Sequence, residues 1–225
     1  MRYVCLFDID GTLLNTGGAG QAAMERALEA AFGLVDLNHD IPAAGRTDRA
    51  ITSDLFAHHG IELHDESWNS FVTTYVENLR TALADLTGTV LPGIVELLDD
   101  LSSHDDVSMG LLTGNFEQGA WLKLSHYQLD HHFAYGGFGD DHHDRDDVAR
   151  TAYAEACRHL GRDVEREQVW VIGDTPSDIR CARAIGANVI AVATGIYSAE
   201  ELAAAEPDHL VADFSDPGML LARLN

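Results

Sequence analysis

Lysine occurs once in this chain of 225 residues, at Lys123, and the basic residues of both kinds number 14 against 37 acidic ones. The formal charge of −23 argues against sequence-independent binding to nucleic acid or to anionic membrane, because both polyanions require a basic face. Arginine in place of lysine, with aspartate in excess over glutamate, fits either adaptation to high salt or a GC-rich genome. It bears on solubility and not on fold. Cysteine is also scarce: Cys5, Cys157 and Cys181 are odd in number and form no CxxC pair, so neither a disulfide framework nor a cysteine zinc site is indicated. Cys5 reads as a small core residue. No apolar run approaches the roughly 20 residues of a membrane-spanning helix. The N-terminal apolar stretch is interrupted by Asp8 and Asp10 before any small-residue cleavage site, unlike a signal peptide. The expectation is a soluble, cytoplasmic protein, monomer or homodimer, with no nucleic-acid or membrane partner. Repeats and low-complexity tracts are missing too, apart from a loop rich in Gly, Asp and His at about 136–147.

What is present begins with a continuous apolar run, Val4 to Phe7, that ends on Asp8, adds Asp10 and turns on Gly11. A half-buried strand alternates apolar and polar residues, so an unbroken run predicts a central strand covered on both faces. Residues 16–87 then carry helical periodicity only, in "AGQAAMERALEAAFG", "DRAITSDLFAHHG" and "ESWNSFVTTYVENLRTALAD", the first two stopped by Gly33 and Gly60. From residue 91 the pattern changes. "PGIVELLDDLSS" predicts a helix with proline near its first position, and "VSMGLLT" a strand. Next come a helix in "FEQGAWLKLSHYQL", a short strand or turn in "FAYGGFG" and a helix in "DDVARTAYAEACRHLG". "QVWVIGD" predicts a strand, "PSDIRCARAIGA" a helix and "NVIAVATG" a strand. Such alternation implies an α/β fold, a parallel sheet with helices on both faces joined by right-handed crossovers. The helical block interrupts it directly after the first strand and so reads as an inserted domain.

Three of these strands end in polar residues: Asp8 and Asp10 after the first, Thr113-Gly114-Asn115 after "MGLL", and Asp174 with Asp178 after "VWVIG". In open parallel sheets ligands bind at the carboxyl edge, so residues far apart in sequence converge there. Carboxylates crowded at such an edge repel one another and lose hydration, which demands a cation or a hydrogen-bond network.

"DIDGTLL", "LLTGN" and "VIGDTPSDIRCARAIGA", in this order, resemble the haloacid dehalogenase superfamily, in its phosphatase branch close to phosphoglycolate phosphatases. The resemblance implies a Rossmann-like core formed by residues 1–15 and 88–225, with an all-helical cap at 16–87. It implies that Asp8 is the nucleophile that forms an aspartyl-phosphate, Asp10 the general acid/base and Thr113 the hydroxyl that binds the transferring phosphoryl group. Asp174 and Asp178 would hold Mg²⁺ together with Asp8 and the backbone carbonyl of Asp10. The chemistry asks for the same residue types. A phosphomonoester dianion repels a carboxylate nucleophile, and a hard cation with oxygen ligands neutralises the site. The leaving alkoxide needs a proton and the attacking water must lose one, a double role for Asp10. Gly11 permits the turn, after which the backbone at Gly11-Thr12 and at Gly114-Asn115 can face phosphoryl oxygens.

Related enzymes place a basic residue, usually lysine, before the last acidic motif. Arg145 is the expected one here and Arg150 the runner-up. The backbone of Lys123 lies roughly 12 Å along its helix from the catalytic edge, which suggests an ion pair with an aspartate or a packing role. Arg46, in "GRTD", either anchors a substrate anion or forms an ion pair on the cap surface. Trp68, Phe71 and Tyr75 fall at helical spacing and read as cap core. The pairs His58-His59, His131-His132 and His142-His143 read as solvated loops or helix ends. The expected activity is Mg²⁺-dependent hydrolysis of a small phosphorylated metabolite. One rival is a phosphomutase resembling β-phosphoglucomutase, which carries a hinge histidine where this chain has Gly20. A 2-haloacid dehalogenase is disfavoured because those enzymes lack an aspartate at the position of Asp10. The other rival is a phospho-accepting receiver domain, which lacks a helical insert of this size.

Overall fold

The computed structural model describes residues 3–35, 37 and 39–216; the outer ends of the expected core segments, 1–2 and 217–225, lie outside the described residues. Along the chain run strands β1 (Tyr3–Phe7), β2 (Leu14–Asn15), β3 (Thr89–Val90), β4 (Val107–Leu112), β5 (Gly136–Gly137), β6 (Val169–Gly173), β7 (Asn188–Val192) and β8 (His209–Val211). Six of them form one sheet in the order β5-β4-β1-β6-β7-β8, and every pairing in it is parallel. β1 is flanked on both sides, with Phe7 level with Leu111 of β4 and with Ile172 of β6.

Its unbroken apolar sequence follows from that position. Successive side chains of a strand point to opposite faces, and here both faces are covered. Cys5 and Phe7 enter one core with Leu97, Leu101 and Leu124, carried by helices α4 (Ile94–Ser102) and α5 (Glu117–His126). Val4 and Leu6 enter the other core with Val148, Ala152, Ile179 and Ala182, carried by α6 (Arg145–Leu160) and α7 (Pro176–Ala184). One detail differs from expectation. Pro92 lies outside α4, which starts after Gly93, while Pro176 does occupy the first turn of α7.

The helical block forms α1 (Ala19–Phe32), α2 (Asp48–His59) and α3 (Asp65–Asp85). Gly33 and Gly60 close the first two in the left-handed conformation, as glycine allows after a helix end. The three helices share a third core in which Leu28, Phe56, Phe71, Tyr75 and Leu79 pack with Phe116 from the sheet-bearing part. Trp68 sits at its margin with the Arg49 guanidinium 4.3 Å above its ring. The chain enters and leaves this insert through the antiparallel pair β2 and β3. A short helix, α8 (Ala199–Ala204), precedes β8 at the sheet edge. No described helix is long and apolar enough to cross a membrane.

Candidate active site

The carboxyl ends of β1, β4 and β6 lie side by side, and the residues that follow them form the site. Asp8 continues the ladder by one residue, its backbone N–H donating to the Ile172 carbonyl at 2.9 Å. Thr113 follows β4 and Asp174 follows β6. Asp178 lies in the first turn of α7, where its Oδ2 accepts from Thr175 N at 2.9 Å and from Thr175 Oγ1 at 2.7 Å in a reciprocal cap.

Asp8, Asp174 and Asp178 are 5%, 3% and 0% exposed, and one carboxylate oxygen from each lies within 4.8 Å of the others. Burial, with repulsion from neighbouring carboxylates, pushes the Asp8 carboxyl up to about 6 and that of Asp174 to about 8. Among the described residues Arg145 supplies the cation in this cluster, donating from Nη2 to Asp178 Oδ1 at 2.6 Å and meeting Asp8 Oδ1 at 2.9 Å. One guanidinium against three buried carboxylates leaves excess negative charge. The all-oxygen donor set suits a hard divalent cation of the Mg²⁺ type. Asp174 is also given close room by the backbone. A Cβ on Gly11, which has φ +84°, would lie 2.4 Å from Asp174 Oδ2, and one on Gly195 would lie 1.7 Å from it. Thr12 Oγ1 donates to Asp174 Oδ1 at 3.0 Å, and Thr194 Oγ1 donates to the Gly11 carbonyl at 2.6 Å.

A second group of side chains adjoins this cluster. Asp10 Oδ2 accepts from Lys123 Nζ at 2.6 Å and from Asn115 Nδ2 at 2.8 Å. Asn115 Oδ1 accepts from Lys123 Nζ at 2.5 Å, and Asn115 Nδ2 also donates to Thr113 Oγ1 at 2.7 Å. The insert reaches the same edge. Asp48 N donates to the Gly114 carbonyl at 2.7 Å, and Asp48 Oδ2 accepts from Phe116 N at 2.9 Å.

A model of the haloacid dehalogenase-like hydrolases matches residues 5–192. The chain belongs to the haloacid dehalogenase-like hydrolase family. Within this family it is 28% identical to a phosphoglycolate phosphatase of Agrobacterium fabrum, over 94% of this chain and 89% of that one. It is 29% identical to a 5'-nucleotidase of Pseudomonas aeruginosa, over 96% and 94% of the two chains. The fold matches that of CbbY from Rhodobacter sphaeroides, solved in complex with phosphate, at a TM-score of 0.76 over 97% of each chain with 20% identity.

For this hydrolase, the geometry brings Asp8, Asp10, Gly11, Thr12, Thr113, Gly114, Asn115, Arg145, Asp174 and Asp178 to one edge. Arg46 is placed differently from the rest. Its Nη2 pairs with Asp54 Oδ2 at 2.6 Å and its Nη1 donates to the Pro42 carbonyl at 3.0 Å, so the guanidinium is held within the insert and Asp48 docks in its stead. Arg150 pairs with Asp147 on the surface of α6. Lys123 forms the expected ion pair with an aspartate, but that aspartate is Asp10, at the catalytic edge from which the helix spacing sets it apart. Side chains on a helix lean toward its N-terminus, and a lysine stem spans most of the distance that the backbone leaves. Its being the one lysine of so acidic a chain was the available signal. Thr194 and Gly195, after β7, had no motif to announce them.

Proposed function

We propose that this hydrolase is a Mg²⁺-dependent phosphatase of small phosphomonoesters. The observation that carries the reading is the buried Asp8 carboxylate, held by Arg145 beside Asp174 and Asp178. An Asp8 oxygen attacks phosphorus, the bond to the alcohol oxygen breaks, and Asp10 delivers the proton that the departing alkoxide needs. Water then attacks the aspartyl-phosphate, losing a proton to Asp10 and releasing inorganic phosphate and free Asp8. Thr113 accepts from both Asn115 N and Asn115 Nδ2, which leaves its own hydroxyl hydrogen for a phosphoryl oxygen. Asp8, Asp174 and Asp178, with the Asp10 carbonyl that the family resemblance implies, would hold Mg²⁺, which would supply charge neutralisation. The insert α1–α3 serves as the cap, docked through Asp48. Phosphoglycolate and nucleoside monophosphates, the substrates in the names of the relatives, head the candidates. Gly20, in place of a hinge histidine, favours hydrolysis over a phosphomutase.

Purified protein with a panel of metabolite phosphomonoesters is expected to release phosphate with Mg²⁺ and to stop in excess EDTA. Full activity in EDTA would exclude the metal, and no release from any ester would exclude the phosphatase.

Metal binding is also expected to show in stability, with a definite pH sense. Because the carboxyls of Asp8 and Asp174 are raised in the folded state, the metal-free fold holds protons that the unfolded chain releases. Its stability therefore falls as pH rises from about 4 to about 8. Cation binding needs both carboxylates ionised, so the gain from Mg²⁺ grows over the same interval. Thermal unfolding with and without about 10 mM Mg²⁺ should show a larger rise in Tm at about pH 8 than at about pH 6. An equal or reversed increment would contradict the assignment of the cluster to a cation.

A further inference from the structure

Lys123 is 3% exposed, and an ammonium buried that deeply is costly unless it is fully engaged. Its Nζ spends two bonds on one small group: Asp10 Oδ2 at 2.6 Å and Asn115 Oδ1 at 2.5 Å. Asn115 is fixed in turn, with its Nδ2 giving one hydrogen to Asp10 Oδ2 and the other to Thr113 Oγ1. Both donors onto Asp10 thus meet at the same oxygen. Among the described residues Oδ1 receives no hydrogen bond, so it is the oxygen of Asp10 that the network leaves open. Removing the ammonium would leave Asp10 with the Asn115 amide as its remaining side-chain donor, and the side chain, itself partly exposed, would be free to turn.

We infer that Lys123 is a positioning residue for Asp10, which fixes Oδ2 and so presents Oδ1 to the leaving-group oxygen. The inference rests on the phosphatase reading and deepens it. Lys123 comes from α5, on the sheet-bearing part of the molecule, so its hold on Asp10 does not depend on where the insert stands. On the side of the insert, Gly20 lies opposite: a Cβ there would be 3.5 Å from Lys123 Nζ. The position that carries a hinge histidine in the phosphomutases is thus bare here, and the orienting cation comes from the core helix. Asp10 is then held for both half-reactions, first as the acid and then as the base toward water.

The test is the dependence of kcat/KM on the leaving group in Lys123→Ala, with Lys123→Met as the variant that retains the apolar stem. p-Nitrophenolate leaves without a proton, whereas an alkoxide needs one. The expected loss is at least ~10²-fold with an alkyl phosphate and under about tenfold with p-nitrophenyl phosphate. Asp10→Asn should show the same split with a greater amplitude. A merely structural lysine would lower both rates alike, so equal losses in a folded Lys123→Met protein, or no loss, would overturn the inference. Wild-type protein that turns over neither ester would remove the phosphatase reading, and the positioning role with it.

Discussion

Asp8→Asn is expected to lower kcat by at least ~10³-fold on every phosphomonoester, because the amide keeps the shape of the carboxylate and loses the nucleophile. The fold should survive. The asparagine carbonyl can still accept from Arg145, and Arg145 keeps Asp178 at 2.6 Å. Replacing one of three crowded carboxylates also removes a repulsion that raises Asp174, so without metal the variant should melt no lower than wild type at about pH 8. The two readouts together are specific. A loss of activity joined to a loss of stability would describe a damaged core, whereas lost turnover in an equally stable protein identifies a nucleophile. Activity within about tenfold of wild type, in protein shown by mass spectrometry to be free of deamidation, would rule out the aspartyl-phosphate route.

What made this site legible was the sharp end of its strands. Val4–Phe7 and Val169–Gly173 are apolar to the last residue and are followed directly by Asp8 and Asp174, a pattern that a central parallel strand imposes because both of its faces are buried. The helices of the insert were equally plain, closed by Gly33 and Gly60. Residues whose role depends on reach across the fold were not. Lys123 touches Asp10 across 113 positions, and Thr194 meets Gly11 across 183. Asp48 gives no local sign that its carboxylate will receive the Phe116 amide, with burial pushing its pKa up to about 7. The two-residue strands β2 and β3 are too short to show any periodicity, whereas β5 falls within "FAYGGFG", where the sequence predicts a short strand or turn. All three exist because neighbouring segments hold them in place.

Arg145→Ala carries the other large expected effect. Arg145 opens α6 with its guanidinium directed inward, and Nη2 lies between Asp8 Oδ1 and Asp178 Oδ1 while reaching the Leu112 carbonyl at 3.4 Å. Burial opposes its charge, yet the two carboxylates hold it well above the usual guanidinium range, so it stays a cation at every working pH. Its removal leaves three buried carboxylates without a protein counter-charge, and breaking a buried pair in this way costs about 3–5 kcal/mol. The metal-free variant should therefore melt well below wild type and recover part of the difference with Mg²⁺. With the metal present, kcat/KM should still fall by at least ~10²-fold, because a fixed charge aimed at the nucleophile and the transferring group is worth about 2.7–4 kcal/mol. Arg145→Lys should lie between, since an ammonium keeps the charge but not the planar fork. The nucleophile is common to all substrates, so this loss should be the same for p-nitrophenyl and alkyl phosphates. The Lys123 variants are expected to separate those two esters, and the contrast assigns each cation its carboxylate: Arg145 to Asp8, Lys123 to Asp10. A loss at Arg145 that followed the leaving group would exchange the two assignments.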